Sequence, residues 1–454
     1  LVLGQWPLLM ACAGFPWLIH ALHDRGGARW SVVTVALAAT ALTPASGVMG
    51  AVLGVVAAGR RGLVRVVLLA AVLNGPWIVA GLRHVSIARS DPAAVGLFDV
   101  QDEGFFGRFG SALTLGGIWN LDVVPTSRTL LISVVLALVM AAVMVLGLVT
   151  LWRDDDRRLL AVLGVAGVIG LAVALSGWLA PDQMARVVAE VPAGGLIRDG
   201  TRWLALLVPL EAVAFGAGVH AAFTRFELTS WQAPVTVLAL ILPLAALPDL
   251  AWGVGGRLEP VSYPASWADT RRIITKTSTT GDMLVLPFTA YRAPAWNNGT
   301  PVLDPAGRYF DRTTVTNDDL EVSGQQIAGE DPRAAAVQKI LRSTVVNSGD
   351  RLEALRREGI GLVVVETDTA GAPQALEQVK GAPELTVGGE GMRLFAIEGA
   401  RSEPITREDR RVMTLVWAVT GIALMIGLAS LMRSGVRRLH RKPAEHGPRQ
   451  MPKP

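Results

Sequence analysis

Cysteine, lysine and charged residues in general are scarce in this sequence. Its 454 residues include a single cysteine, Cys12, and only 18% of them are charged, whereas about 25% is average for soluble domains. A single cysteine excludes an internal disulfide framework and a metal cluster held by thiolates. Long stretches carry no charge at all, which is typical of segments that face lipid. The sequence therefore predicts an α-helical polytopic membrane protein.

Histidine is also absent from one long segment, residues 255–410, whose composition is otherwise that of a soluble domain. Without histidine and cysteine, the segment lacks the usual ligands of zinc and the base of a His-based catalytic triad. The chain has no P-loop, dinucleotide-binding or haem motif, so no nucleotide or haem cofactor is predicted and only a divalent cation stays open. The net charge of +4 comes from arginines in loops and tail, so nucleic acid is not a predicted partner.

Eight apolar runs are long enough to cross a bilayer, whose core needs about 20 mostly apolar helical residues. Backbone polar groups in lipid must be satisfied within their own segment, so these runs are predicted to be helices rather than strands. The runs cover residues 1–22, 30–58, 63–82, 130–151, 159–179, 203–223, 233–252 and 412–432.

These runs divide the chain into four parts. About seven spans form a transmembrane domain, an extracytoplasmic α/β domain is inserted before the last span, and that span anchors the chain ahead of a basic tail that we expect to be disordered. The parts are residues 1–254, with long outer loops at 83–129 and 180–202, then 255–410, 411–433 and 434–454. The chain begins at Leu1 inside an apolar run and without a methionine, and we expect further spans upstream of it.

The distribution of arginine predicts the orientation of the spans. A dense group of basic residues begins at Arg433, and loops rich in Lys and Arg remain in the cytoplasm. The C-terminus is therefore predicted to be cytoplasmic. Residues 255–410 and the two long loops then lie outside a bacterial plasma membrane.

Residues 255–410 alternate between the patterns of helices and strands. The almost unbroken apolar run Ile360–Glu366 is typical of a buried strand. Alternation of this kind predicts a small α/β layer. Helices are predicted near residues 265–277, 331–343, 350–358 and 373–380, and strands at 283–287, 360–366 and 392–398.

One stretch of this domain, residues 287–304, combines aromatic, amide and charged side chains. Aromatic faces can stack on the apolar side of a sugar ring while polar groups bind its hydroxyls. The alternative is an irregular loop that packs on the membrane domain. The candidate acceptor-binding residues are Tyr291, Arg292, Trp296, Asn297, Asn298 and Asp304.

Ionisable residues in and beside the spans form a second group of candidates. A carboxylate inside the sixth run is costly in lipid and indicates a functional site, unless a partner in another span or a proton neutralises it. Arginines at outer helix ends could clamp a lipid phosphate through their bidentate guanidinium groups, or could anchor the chain at the interface beside Trp203. The candidate residues for lipid phosphate or substrate are Arg83, His84, Arg198, Asp199, Arg202 and Glu211.

The loop between the third and fourth runs has an acidic pair, Asp102 and Glu103, ahead of an aromatic segment that runs from Phe105 to Leu113. The aromatic residues could share one face of a helix that rests on the membrane. A carboxylate beside such a helix could act as general base toward a sugar hydroxyl, which makes Asp102 and Glu103 the candidate catalytic residues. The alternative is a solvated loop.

Several short motifs together resemble a known family. They are LGGIWN at 115–120, RDGTRW at 198–203, LVLPFTAYRAPAWNNG at 284–299 and GEDPRA at 329–334, followed by the last apolar run. The chain resembles, over essentially its whole length, the C-terminal part of actinobacterial multi-span proteins allied to the GT-C superfamily of lipid-linked sugar transferases. GT-C enzymes carry an acidic motif in their first outer loop, whereas the first loop here, residues 23–29, has only Asp24.

Three functions follow from these observations. The resemblance implies a glycosyltransferase-like protein that uses a polyprenyl-phosphate sugar and a cell-wall glycan at the outer face of the bilayer. A transporter or flippase of an envelope lipid is favoured by Glu211 and by prolines inside apolar runs. The third is a non-catalytic scaffold whose α/β domain binds glycan. Loss of sugar transfer on changing Asp102 and Glu103 would favour the first, and transport that depends on Glu211 the second.

Overall fold

The computed structural model of the protein describes residues 5–24, 29–84, 91–153, 157–225, 231–322, 324–343, 347–386, 391–402 and 406–439. The expectations about Leu1 and about disorder in residues 440–454 concern residues outside these ranges. The helical segments are α1 (Trp6–His23), α2 (Trp30–Thr40), α3 (Pro44–Leu73), α4 (Gly75–His84), α5 (Ala94–Leu97), α6 (Gly107–Leu113), α7 (Leu131–Arg153), α8 (Arg157–Leu179), α9 (Pro181–Glu190), α10 (Val208–Arg225), α11 (Gln232–Ala246), the turn α12 (Ala251–Gly255), α13 (Ala265–Lys276), α14 (Ala306–Tyr309), α15 (Pro332–Arg342), α16 (Ser348–Arg357), α17 (Ala372–Gln378) and α18 (Arg407–Leu439).

Three helices, α7, α8 and α18, are long and apolar enough to cross a membrane. Three further spans arise if each bent pair counts as one: α3 with α4 at 63°, the 3₁₀ helix Gly200–Leu206 with α10 at 41°, and α11 with the segment Pro248–Gly255 at 81°. The described residues thus show three to six candidate spans, and the predicted eight are not confirmed. One cause is α2, which has 11 residues and measures about 16 Å against a hydrocarbon core of about 30 Å.

The apolar run 30–58 is broken at Thr43 and Pro44. The helix α2 ends at Thr40, and the Thr43 hydroxyl accepts a hydrogen bond from the backbone N–H of Ser46, which caps α3. Pro44 lies in the first turn of α3. Backbone N–H groups in the first turn of a helix have no acceptor within the helix, so a proline there costs no hydrogen bond. The Ser46 hydroxyl donates to the Thr40 carbonyl at 2.7 Å. This bond ties the two helix ends together, so the break is an ordered part of the fold.

The helices α1, α2, α3 and α8 share a hydrophobic core with the 3₁₀ helix Gly200–Leu206. Phe15, Leu37, Met49 and Leu206 are fully buried in this core. Trp203 also belongs to it and is only 4% exposed. The Trp203 ring therefore packs among helices.

The helices α7 and α10 cross where both have glycines. A Cβ atom on Gly147 would collide with the carbonyl oxygen of Ala214, and one on Gly218 with that of Val143. Ala214 and Gly218 lie four residues apart, so they share one face of α10. Small residues at such a crossing let the two backbones come into contact, and this packing is a main source of attraction between helices in lipid.

The α/β domain is built on a four-stranded sheet in the order β4-β1-β7-β8, in which β1 is parallel to β4 and β7, and β8 is antiparallel to β7. The predicted helices and strands of this domain are confirmed to within a few residues. Two hairpins, β2–β3 and β5–β6, lie outside the sheet. The strands are β1 (Asp282–Leu286), β2 (Tyr291–Arg292), β3 (Val302–Leu303), β4 (Thr314–Val315), β5 (Leu320–Val322), β6 (Gln325–Ile327), β7 (Ile360–Glu366) and β8 (Met392–Ala396).

Both faces of the sheet are covered. On one face Leu286 and Val365 pack with residues of α15, α16 and α17. On the other face Val285 and Val364 pack with Trp267 of α13. Burial on both faces explains why β1 and β7 are continuous apolar runs rather than alternating ones. The chain leaves β1 toward β4 on one side and returns to β7 on the other, which creates a topological switch point between the carboxyl ends of β1 and β7.

The β5–β6 hairpin connects the α/β domain to the loop that contains α5. Val322 and Ile327 of the hairpin pack against Ala94 and Phe98, with Trp119 at the edge of the cluster. The rings of Phe98 and Trp119 meet edge to face at 5.0 Å. The α/β domain therefore contacts the loop that holds the predicted catalytic acids.

Candidate functional site

The C-terminal end of α8 organises the candidate site in the membrane part. Val100 and Ala112 of the loop and Leu204 of the 3₁₀ helix pack around Ala174 and Leu175 of α8. The loop with α5 and α6 and the segment that begins with Asp199 thus meet at one helix end. The sequence-predicted acidic pair and one group of predicted arginines are carried by these two segments.

The two predicted catalytic acids have opposite environments. The side chain of Glu103 is only 3% exposed, and its Oε2 lies 2.6 Å from Nε of Arg128. Its Oε1 accepts a hydrogen bond from the backbone N–H of Ile118 at 2.7 Å. Asp102 is exposed, and among the described residues its carboxylate accepts one hydrogen bond, a turn-forming bond from the N–H of Gly104 at 3.1 Å. Of the pair, only Asp102 offers its carboxylate to solvent.

A third acid of the loop, Asp99, is also buried. Its Oδ2 lies 2.6 Å from Nη1 of Arg108, and its Oδ1 accepts a bond from the N–H of Val100 at 2.6 Å. Burial raises the pKa of Asp99, although the Val100 N–H and the Arg108 charge act in the opposite direction. The Arg108 guanidinium also lies 6.0 Å from the ring centroid of Trp178, at the end of α8. The Arg108 side chain therefore connects Asp99 of the loop to Trp178 of α8.

The predicted phosphate-binding residues around position 200 are brought together. Asp199 is buried and its Oδ2 lies 2.7 Å from Nε of Arg202, whose side chain is 43% exposed. Arg198 lies 5.0 Å from the ring centroid of Phe98 and 3.2 Å from Glu330 of the α/β domain. Arg198 therefore links three segments, while Arg202 keeps much of its guanidinium in solvent.

The other candidates for lipid phosphate lie elsewhere. Arg83, in α4, forms ion pairs with Glu408 and Asp409 at the beginning of α18. The side chain of His84, which ends α4, lies outside the described part of the structure. Glu211 lies in the first turn of α10, directly after the bend that follows the 3₁₀ helix. Among the described residues, no side chain forms an ion pair or hydrogen bond with the Glu211 carboxylate.

In the α/β domain, Arg292 lies between two acids. Its Nη2 is 2.9 Å from Asp304 Oδ2 and its Nη1 is 3.0 Å from Glu366 Oε1, with all three side chains buried. Neither oxygen of Glu366 has a well-directed hydrogen bond within the described chain. Burial raises the pKa of Glu366 to about 7, more than the nearby Arg292 lowers it. Arg292 and Asp304, predicted to bind an acceptor, are thus parts of a buried charge cluster.

The aromatic residues of this domain form a cluster on the same face of the sheet as Glu366. The rings of Trp267 and Phe310 are stacked at 5.4 Å, and Tyr263 lies 5.0 Å from Trp296 and 4.8 Å from Tyr309. The indole N–H of Trp296 is buried and has no partner in the described chain. Of this cluster, Trp296 is the one residue in the predicted acceptor-binding set.

The remaining predicted acceptor residues lie at the rim of the β2–β3 hairpin. The ring of Tyr291 is 50% exposed. Asn298 is exposed and in the left-handed region, with φ of 53°. The Asn297 amide donates to the carbonyl of Thr300 at 2.8 Å and holds the turn. Tyr291 and Asn298 are therefore the members of this set with free side chains at the surface.

The described residues contain no group of three or more His, Cys, Asp or Glu side chains with a geometry suited to a metal ion. The acids at the site instead face arginines, as Glu103 faces Arg128 and Asp99 faces Arg108. Guanidinium groups in these positions already neutralise the carboxylates that a cation would need.

Sequence reasoning missed Arg128, Glu330 and Glu366. Glu366 carried a signal, since it ends a buried apolar strand at the edge where α/β domains bind ligands. Glu330 lies in the GEDPRA motif, but nothing in the motif indicates its partner Arg198, which is distant in sequence. Arg128 carried no signal, because it lies in a polar loop.

No known protein-family model and no curated protein sequence matches this chain. Among solved structures, the chain is similar to the arabinofuranosyltransferase AftD from mycobacteria, with a TM-score of 0.51 and 17% identity over 87% of this chain and 30% of that one. A mutant form of AftD gives a TM-score of 0.49, 16% identity and coverages of 87% and 31%. The chain thus spans about 30% of the length of AftD. The likeness shows that most of this chain shares its fold with part of AftD.

Proposed function

We propose that this protein is a membrane glycosyltransferase-like component that moves a sugar from a polyprenyl phosphate to a glycan of the cell envelope. The observation that supports this most is the fold shared with AftD over 87% of the chain. AftD is an arabinofuranosyltransferase, so arabinofuranose is the first sugar to test.

Asp102 is the proposed general base. It takes the proton of an acceptor hydroxyl, the hydroxyl oxygen forms a bond to the anomeric carbon, and the bond from that carbon to the phosphate oxygen breaks. The exposure of Asp102 supports this role, since a base must reach its substrate. Glu103 instead positions the loop, because both of its oxygens are engaged by Arg128 and the Ile118 N–H.

Arg202 and Arg198 are the proposed partners of the leaving polyprenyl phosphate. Charge on the phosphate increases as the bond to the sugar breaks, and a guanidinium group stabilises it through paired hydrogen bonds. Arg202 is the better placed of the two, since Asp199 orients its Nε while the rest of the group stays accessible. Tyr291 and Asn298 are proposed to contact the acceptor glycan. The outer face of the bilayer is the proposed location of the reaction.

The test is a transfer assay on membranes that contain the protein, with radiolabelled polyprenyl-phosphate arabinofuranose as donor and a synthetic arabinofuranosyl oligosaccharide as acceptor. Asp102→Asn should lower the rate about 100-fold or more, as expected for loss of a general base. The matched control is Asp122→Asn, since Asp122 is an exposed aspartate of the same loop. Full activity of Asp102→Asn, with equal amounts of folded protein, would exclude Asp102 as the base.

A second candidate function is transport of an envelope lipid. It is favoured by the bend of 41° before α10 and by the carboxyl of Glu211 just beyond it, which has no side-chain partner among the described residues, since transporters use broken helices near the bilayer midplane. The same membranes distinguish the two. Loss of lipid translocation in Glu211→Gln, with Asp102→Asn unaffected, would favour transport over sugar transfer.

A further inference from the structure

An open cleft lies at the C-terminal edge of the sheet, between the loop that follows β1 and the helices α15 and α17. Its volume is about 230 Å³. The side chains that define its chemistry are Phe288, Thr289, Gln338, Arg342, Gln374 and Gln378. The cleft is on the face of the sheet opposite the aromatic cluster, so it is separate from the acceptor residues considered above.

The position of the cleft is one at which α/β domains bind ligands. Phe288 and Thr289 directly follow β1, and Gly371 ends the loop that follows β7. These two loops diverge at the topological switch point of the sheet, where the ends of parallel strands leave a crevice. The crevice is a consequence of strand order, and the side chains around it decide which ligand fits.

The lining that the described residues form is mostly apolar, its polar groups are chiefly side-chain amides and the Arg342 guanidinium, which also donates to Gln326, and it includes no carboxylate. Three glutamines, Gln338, Gln374 and Gln378, contribute to it. Each amide offers a donor and an acceptor side by side, which matches a sugar hydroxyl that can donate and accept. Phe288 adds an apolar surface for the C–H face of a ring. Because no acid lines the cleft, a metal ion or a cationic ligand is not favoured.

The fold holds the cleft open and leaves two of its amides free. The carbonyl of Phe288 accepts a bond from the Asn317 amide at 2.8 Å, and the Gln378 amide donates to the Leu341 carbonyl at 3.3 Å. Gly371 has φ of 87°, and a Cβ there would come within 3.3 Å of the Pro287 ring. Gln338 and Gln374 form no side-chain hydrogen bond with the described residues, so both are available to a ligand.

We propose that this cleft binds one ring of a neutral glycan, as a second acceptor subsite remote from the reacting hydroxyl. The inference rests on the proposed function for the identity of the glycan. It adds a contact that would hold a long acceptor beyond the sugar that receives the new bond. A short acceptor would not reach both places, so chain length of the acceptor should matter.

The experiment measures equilibrium binding, without donor, of a linear neutral arabinofuranosyl hexasaccharide to the full chain in lipid nanodiscs by saturation-transfer NMR. The variant is Gln338→Ala with Gln374→Ala. The matched control is Gln325→Ala, because Gln325 is an exposed glutamine of the same domain outside the cleft. Loss of one hydrogen bond to each amide predicts roughly 10- to 30-fold weaker binding for the double variant. Equal thermal unfolding of the variants verifies that the domain is intact.

Binding that falls in the double variant and not in Gln325→Ala supports the inference. Equal binding by the double variant and the wild type overturns it, and so does the absence of hexasaccharide binding by the wild type. Since no donor is present, these results are independent of sugar transfer. A protein that binds the hexasaccharide through the cleft but transfers no sugar would contradict the proposed function. The inference of a glycan-binding cleft would still hold.

Discussion

Two buried charge clusters, one in the loop beside α8 and one in the α/β domain, differ in how their charges balance. In the loop, one carboxylate faces one guanidinium group, with Glu103 2.6 Å from Arg128. Arg128 also donates to the Thr114 hydroxyl at 2.7 Å, and Glu103 accepts the Ile118 N–H. In the α/β domain, Arg292 faces both Asp304 and Glu366, so the described residues leave one negative charge of this cluster without a counterion.

The difference decides how each cluster responds to pH. The loop pair is neutral as a whole, because one carboxylate lies against one guanidinium group. The α/β cluster can become neutral only if Glu366 binds a proton, in agreement with its pKa of about 7. A buried ion pair therefore acts as a fixed structural link, whereas an unbalanced triad acts as a group that titrates near neutral pH.

The largest expected effect comes from removing one partner of the balanced pair. Arg128→Met leaves the Glu103 carboxylate buried without a counterion, which should cost about 3–5 kcal/mol of unfolding free energy. The measurement is thermal and denaturant unfolding of the protein in detergent, followed by tryptophan fluorescence. Adding Glu103→Gln to Arg128→Met should recover most of the loss, because no charge then remains buried.

The control for that variant is Arg186→Met, since Arg186 is exposed on α9. A surface change of this kind should alter stability by less than about 0.5 kcal/mol. If Arg128→Met were no more destabilising than Arg186→Met, Glu103 would have solvent or another cation as partner, and the loop would not be fixed by this pair.

In the unbalanced cluster, removing a charge should raise stability at high pH, whereas removing Arg128 from the balanced pair lowers it. The folded pKa of Glu366, about 7, is above its ordinary value of 4.5. Below pH 4.5 both states bind the proton, and as pH rises through 7 the folded state loses stability relative to the unfolded one. Glu366→Gln should therefore be more stable than the wild type at pH 8, by up to about 3 kcal/mol, and nearly equal to it at pH 4.5.

Unfolding of Glu366→Gln and the wild type is measured at several pH values from 4.5 to 8. Glu321→Gln is the control, because Glu321 is an exposed glutamate of the same domain. A difference between Glu366→Gln and the wild type that does not change with pH would mean that Glu366 does not titrate in this range.

Most of the α/β domain could be predicted from the sequence, because its elements are encoded locally. The run Ile360–Glu366 is β7 itself, and α15 begins where Asp331 accepts the Arg333 N–H ahead of an apolar helical pattern. The span count could not be predicted as well. Apolar length alone does not indicate where a helix breaks, and the break at Thr43 depends on a cap and on the Ser46 bond to Thr40.

The candidate site was predicted only in part, since its residues are paired across long sequence distances. The sequence indicated Asp102 and Glu103 as a pair, but an adjacent pair in a loop does not reveal that one is buried against Arg128. It likewise placed Arg292 and Asp304 in one stretch without the Glu366 that completes their cluster. Such partners are determined by the tertiary fold, which brings β7 beside the β2–β3 hairpin.

The smallest expected effect concerns the ion pair between Arg198 of the membrane part and Glu330 of the α/β domain. Arg198 lies 3.2 Å from Glu330, with side chains 20% and 38% exposed, and partly exposed pairs contribute about 0.2–1 kcal/mol. A double-mutant cycle with Arg198→Gln and Glu330→Gln should give a coupling energy in that range. The cycle removes the separate contribution of Arg198 to the Phe98 ring, which a single variant would include. Coupling that vanishes would mean that this ion pair does not help to join the α/β domain to the membrane part, although the β5–β6 hairpin contact and the bond from the Ala328 N–H to Asp91 would remain. Coupling above about 2 kcal/mol would mean that the bridge is desolvated like the Glu103–Arg128 pair.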